Sequence, residues 1–91
     1  MNMAWSIEFD PDARRELEKL DKSVSDRILK FLRERVAPLD DPRTIGERLH
    51  GPLRQYWKYR IGDYRLICSI KEDRLAVIVV RLGHRREIYK R

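Results

Sequence analysis

Cysteine occurs once in this sequence, at Cys68, which excludes an internal disulfide and a thiolate metal cage. Long apolar runs are missing too. The longest, Leu75–Val80, has six residues, whereas a bilayer-spanning helix needs about 20. The N-terminus lacks the basic flank and apolar stretch of a signal peptide, so the expectation is a cytoplasmic protein with no membrane partner. Length is also scarce. With 91 residues, the chain is expected to form a single domain, residues 1–91, with a core of one or two layers. A dinucleotide fold does not fit in that space. Repeats and low-complexity segments are absent, and no His, Cys or acidic cluster points to a metal or other cofactor.

Charge is what the sequence has in excess. Charged residues make up 40%, and the formal net charge is +6. Residues 1–45 hold nine Lys and Arg against ten Asp and Glu; residues 46–91 hold twelve against five. The whole positive excess therefore lies in the second half. Such asymmetry fits a polyanion partner, and equally a merely solvated basic surface, unless the fold gathers the charges on one face.

Ala4–Phe9 alternates, with Trp5, Ile7 and Phe9 on one side, and reads as a first strand. Asp10-Pro11 then supplies an N-cap and a first helical position that needs no N–H. Ala13, Leu17 and Leu20 form the apolar stripe of that helix. Ser23–Asp26 resembles a capping box for a second helix, whose face is Val24, Ile28, Phe31, Leu32 and Val36 and which ends before Pro38. Residues 37–53, with three prolines and two glycines, read as a loop with a short turn. From Arg54 the period becomes two, and Arg54–Ile61, Tyr64–Ile70 and Arg74–Leu82 are the remaining strands. The expected fold is α+β, in the order β-α-α-β-β-β. It is an antiparallel meander with a helical hairpin packed on one face.

Gly62-Asp63 reads as a two-residue type II′ turn. That turn pairs Ile61 with Tyr64, Arg60 with Arg65, Tyr59 with Leu66 and Lys58 with Ile67. One sheet face then carries Tyr56, Lys58, Arg60, Arg65, Ile67 and Ser69. The other carries Trp57, Tyr59, Ile61, Tyr64, Leu66, Cys68 and Ile70, and is the natural core face. Opposed like charges destabilise a strand pair, so Arg60 beside Arg65, with no acid on that face of these two strands, looks built for an anion. Solvation of an exposed face is the plainer alternative. The end of the chain, Gly83-His84-Arg85-Arg86-Glu87-Ile88-Tyr89-Lys90-Arg91, is expected to bend at Gly83. It adds forked guanidinium charges suited to phosphate oxygens and a tyrosine ring suited to stacking on a base. That combination fits an RNA phosphate better than a carboxylate metabolite. His50, in a Gly/Pro loop, reads as structural, Glu87 as an ion-pair partner of an adjacent arginine, and Cys68 as an inert core residue.

Taken together, the β-α-α-β-β-β order and the segments Leu49-His50-Gly51-Pro52-Leu53, Trp57-Lys58-Tyr59-Arg60, Tyr64-Arg65-Leu66 and Gly83-His84-Arg85-Arg86-Glu87-Ile88-Tyr89 resemble the RelE toxins of the RelE/ParE superfamily. The resemblance covers essentially the whole chain. It implies a ribosome-dependent mRNA endonuclease, metal-independent, that enters the ribosomal A site and cuts by attack of the RNA's own 2′-hydroxyl. It also implies a cognate antitoxin that holds the toxin inactive, with operator DNA reached only through that complex. Carried over by motif, the catalytic residues would be Lys58, Arg60, Arg65, Arg85 and Tyr89. Arg65 and Arg85 would stabilise the pentacoordinate phosphate, and Lys58 or Tyr89 would be the general base. Tyr56, His84, Arg86, Lys90 and Arg91 would be further RNA contacts, with His84 read alternatively as an exposed strand end. Arg60 stands where the best-known members have lysine, and the segment between Arg85 and Tyr89 is shorter than theirs. Two other readings stay within the superfamily: a ParE-like gyrase poison, and a catalytically silent member that only binds its antitoxin.

Overall fold

The structure is a computed structural model that describes residues 4–88. Its first strand, β1, runs over Ser6–Phe9 and gives way at Asp10 to helix α1, Pro11–Lys19. The Asp10 carboxylate accepts from the backbone N–H groups of Asp12 and Ala13, so the N-cap read from Asp10-Pro11 holds. Helix α2, Lys22–Phe31, starts at Asp21 and has no side-chain cap. Ser23 lies inside it, so the capping box expected at Ser23–Asp26 does not form. The joint between the helices is shorter than that box needs. A wider turn over Leu32–Val36, in which the Ala37 N–H reaches back to the Leu32 carbonyl at 2.8 Å, extends α2 towards Pro38.

The loop after it contains more than a turn. Glu47–Arg48 forms a two-residue strand, β2, too short for any periodicity to reveal. Strands β3 (Trp57–Ile61), β4 (Tyr64–Lys71) and β5 (Ala76–His84) follow. The sheet order is β1-β5-β4-β3-β2. The antiparallel meander is present in β3, β4 and β5. Two features lay outside the expected order: β2 pairs with β3, and β1 joins the far edge of β5 in parallel. Alternation in residues 4–9 is the same for either orientation; which sheet edge remains free when the strand docks decides it.

Gly62 adopts φ +59° while Asp63 stays at negative φ, as the type II′ turn requires, and the β3–β4 register is the expected one. The β4–β5 connection is a short 3₁₀ turn, Glu72–Arg74, closed by Leu75 in a left-handed conformation at φ +50°. Gly83 does not bend the chain: β5 runs through it to His84, and the turn begins at Arg85.

The helices cover one side of the sheet, α1 over β5 and α2 over β3. Ala13, Ile28, Leu32 and Val36 meet Tyr59, Ile61, Leu66, Cys68, Val77, Val79 and Leu82 in one buried cluster. Phe31 packs its ring edge-on to Tyr59, with centroids 6.1 Å apart. The buried Tyr59 hydroxyl donates to the Pro42 carbonyl at 2.6 Å, tying the loop to the core. Burial raises the pKa of the Tyr59 phenol and of the Cys68 thiol, because neither anion is solvated there. Among the described residues, no helix is long and apolar enough to cross a membrane.

Candidate nucleic-acid interface

The side of the sheet away from the helices is built by alternation and register. Lys58 opposes Ile67, and Arg60 opposes Arg65. These residues share a face because directly paired residues always do. The sheet thus brings Lys58, Arg60 and Arg65 together as the sequence pattern requires. Lys58 is largely shielded, with 19% of its side chain exposed, while 61% of the Arg60 side chain is open to solvent.

An acid from elsewhere enters this group. Glu47 in β2 is the register partner of Lys58, and its Oε1 lies 3.5 Å from Lys58 Nζ and 3.4 Å from Arg60 Nε. One carboxylate therefore holds two cations at the outer edge of the sheet. Glu47 was missed in the sequence because a two-residue strand inside a Gly/Pro loop leaves no alternating signal. Its effect is local, and the remaining positive charge lies towards β4 and β5.

The β3–β4 turn gathers Arg65 and one more arginine, Arg85. Arg65 Nη1 donates to the carbonyls of Gly62 at 2.9 Å and Tyr64 at 3.0 Å. Arg85 follows directly on β5; its backbone N–H donates to the Asp63 carbonyl at 2.7 Å, and its Nε lies 3.6 Å from Asp63 Oδ1. Backbone carbonyls and a single exposed carboxylate orient these guanidiniums but leave donors for a ligand, since each guanidinium has five N–H groups. Fixed, always-charged forks at one end of an open face are suited to oxygens of a phosphate and to the extra negative charge of its pentacoordinate transition state.

The other expected contacts are placed differently. Tyr56 precedes β3 rather than belonging to it; its N–H bonds the Leu53 carbonyl in the preceding turn. His84 pairs with Tyr64, on the helix-side face, and the two rings meet edge-on with centroids 5.6 Å apart. It lines a groove with Asp12, Arg15 and Glu16 of α1 and accepts the Arg86 N–H at Nδ1. Register thus separates His84 from Lys58, Arg60 and Arg65, because its ladder partner Tyr64 packs against the core under the helices. Arg86 is exposed in the turn after β5. Tyr89, Lys90 and Arg91 lie outside the described residues. A further cation that strand alternation gave no reason to include, Arg81, lies across Ile67 from Lys58 on the open face.

Comparison with known proteins agrees with this fold. Residues 7–89 match the family model described as ParE toxin of type II toxin-antitoxin system, parDE. Toxin RelG of Mycobacterium tuberculosis is 29% identical over 89 residues, covering 98% of this chain and all of RelG. The mRNA interferase toxin RelE of Escherichia coli K12 is 32% identical over 90 residues, covering 96% of this chain and 92% of RelE. Among solved structures, the M. tuberculosis RelBE2 toxin–antitoxin complex contains a chain that superposes with a TM-score of 0.82 at 26% identity, over 90% of this chain and 99% of that one. A free-state variant of E. coli toxin RelE matches with a TM-score of 0.74 at 29% identity, over 96% and 92%. A family match over nearly the whole sequence and a shared fold leave one assignment: the chain belongs to the ParE toxin family of type II toxin–antitoxin systems, as a RelE-type toxin of the RelE/ParE superfamily.

Proposed function

We propose that this toxin is a ribosome-dependent mRNA endonuclease that cuts A-site codons and so inhibits translation in the cytoplasm. The observation that carries the reading is the convergence of Arg65 and Arg85 on the β3–β4 turn, beside Lys58 and Arg60 on the open sheet face. The name mRNA interferase, carried by the E. coli relative, supports it. In this reading the 2′-oxygen of the codon attacks the adjacent phosphorus while the P–O5′ bond breaks. The products are a 2′,3′-cyclic phosphate and a 5′-hydroxyl. The 2′-hydroxyl proton goes to Lys58 or Tyr89 in its unprotonated form and from there to water, and the leaving 5′-oxygen takes a proton from water, with Arg85 guiding it. Arg65 and Arg85 hold the charge that builds on the non-bridging oxygens. No metal ion takes part.

A cognate antitoxin is the expected inhibitor. Solved relatives were captured as toxin–antitoxin complexes, including RelE–RelB from Pyrococcus horikoshii. Operator DNA would be met only through such a complex.

The test is a translation reaction with purified ribosomes, a defined mRNA and the free toxin, mapped by primer extension. A ribosome-free control and an Arg65→Ala/Arg85→Ala variant run beside it. Cuts within A-site codons, absent from both controls, are the expected result. Absence of cuts by the native chain under every condition removes the reading. Inhibition of gyrase supercoiling then becomes the assay, because the matching family model carries the ParE name.

A further inference from the structure

Strand β5 does not alternate from end to end. Val77 and Val79 are fully buried against the helices, and strict alternation would send Arg81 into the same core. The register prevents this. Cys68 pairs with Val79, but its neighbour Ile67 pairs with Arg81, which leaves Val80 as one extra residue. The bulge reverses the parity of the rest of the strand. Leu82 takes the core position, 4% exposed, and register puts Arg81 on the open face, where it also borders the groove against α1.

There Arg81 completes a row across the sheet, Glu47–Lys58–Ile67–Arg81. It lies diagonally from Arg65, where neighbours of this kind are about 7–8 Å apart. Ile67, itself 6% exposed, is an apolar floor between Arg81 and Lys58. Glu47 balances Lys58 and Arg60 at the β2 end of the row. No described residue does the same for Arg81, which is exposed and whose side chain makes no hydrogen bond or ion pair with any of them. Gly83, opposite Arg65, has no side chain of its own, and Ile88 from the following turn packs against it, 3.7 Å from where a Cβ would stand.

From this arrangement we infer that Arg81 is a substrate-binding residue, aimed by the Val80 bulge at a backbone phosphate of single-stranded RNA next to the scissile one. The inference rests on the mRNA-cleavage reading. It extends the phosphate track from the turn at Arg65 and Arg85 along β5, with Arg81 contributing to binding rather than to the chemical step.

The full-length toxin is compared with Arg81→Ala and Arg81→Lys. Arg33→Ala, which removes the same charge from an exposed position on the helical side, serves as control. Two quantities are read: single-turnover ribosome-dependent cleavage against toxin concentration, and the salt dependence of binding to a single-stranded RNA oligonucleotide. Arg81→Ala is expected to raise the half-saturating concentration about tenfold, the loss typical of one charge-assisted contact, while the maximal rate stays within about twofold. Its salt slope should fall by about 0.7. Arg81→Lys should recover part of the affinity, and Arg33→Ala should change neither quantity. If Arg81→Ala behaves like Arg33→Ala, or loses maximal rate alone, the inference is wrong. It is also wrong if RNA binding is unchanged and only capture of an acidic antitoxin weakens. A native chain that binds RNA but never cuts, with binding still weakened by Arg81→Ala, would retain this inference and remove the nuclease reading.

Discussion

Arg65 and Leu66 are neighbours in β4, yet one orients its guanidinium on the open face and the other is fully buried beneath the helices. The same contrast runs through the whole β3–β4 hairpin. On the helix side, Tyr59, Ile61, Leu66 and Cys68 are held by apolar burial, which is non-directional and tolerates no uncompensated polar group. On the open side, Lys58, Arg60 and Arg65 repel one another and are restrained by Glu47 and by backbone carbonyls. One face contributes stability, and the other accepts a local electrostatic cost that Glu47 relieves in part and a bound anion relieves further. A strand with a period of two can carry both because the two sets of side chains never meet.

The sharpest way to break this contrast is to truncate the two neighbours separately. Arg65→Ala should lower the single-turnover cleavage rate by about 100-fold or more, as loss of a preorganised charge-stabilising donor does. Its folding stability should change by less than about 1 kcal/mol, since only solvent-accessible hydrogen bonds are lost. Leu66→Ala should do the reverse: a loss of about 2–4 kcal/mol in urea denaturation, with the cleavage rate per folded molecule preserved. If Leu66→Ala abolishes cleavage while the protein remains folded, the faces are not independent.

A smaller effect is expected from Tyr59→Phe. The substitution keeps the ring against Phe31 but removes the donor to the Pro42 carbonyl, leaving a buried acceptor unpaired. A loss of about 1–2 kcal/mol should appear in denaturant titration. An unchanged midpoint would show that the loop reaches the core by packing alone.

The gentlest probe is alkaline pH. The ordinary values for Cys68 and Tyr59 are 9.0 and 10.0, and burial raises both in the folded chain. Below those values both states carry the neutral groups, and the stability contribution is fully present. As pH rises past about 9, the unfolded state ionises first and stability falls, at up to about 1.4 kcal/mol per pH unit for each group. Cys68→Ala should flatten the first part of that decline. A native protein whose denaturation midpoint is constant from pH 8 to 10.5 would contradict the buried placement of both groups.

Much of this organisation was legible in the chain itself. Asp10-Pro11 carries its own helix start because capping is a local hydrogen-bonding event. Gly62-Asp63 settles the β3–β4 register because a two-residue turn permits only one pairing. From these alone, Lys58, Arg60 and Arg65 fall on one face. The capping box expected at Ser23–Asp26 does not form because the preceding joint ends at Asp21, two residues before Ser23. Nearness in sequence groups His84 with the cations, whereas pairing with Tyr64 puts it on the other face.

What the amino-acid sequence alone determined is therefore whatever depends on neighbours a few residues apart: the elements, the hairpin register and the alternation of core and cation. Tertiary structure decided the rest. The parallel docking of β1 depends on which edge of β5 is free, and the position of Glu47 beside Lys58 and Arg60 depends on a two-residue strand that exists only when β3 is there to pair with it. The bulge at Val80 arises from fitting β5 to β4 and to the helices at once, since Leu82 must reach the core. That single extra residue, invisible to local propensity, is what turns Arg81 out of the core and onto the open face.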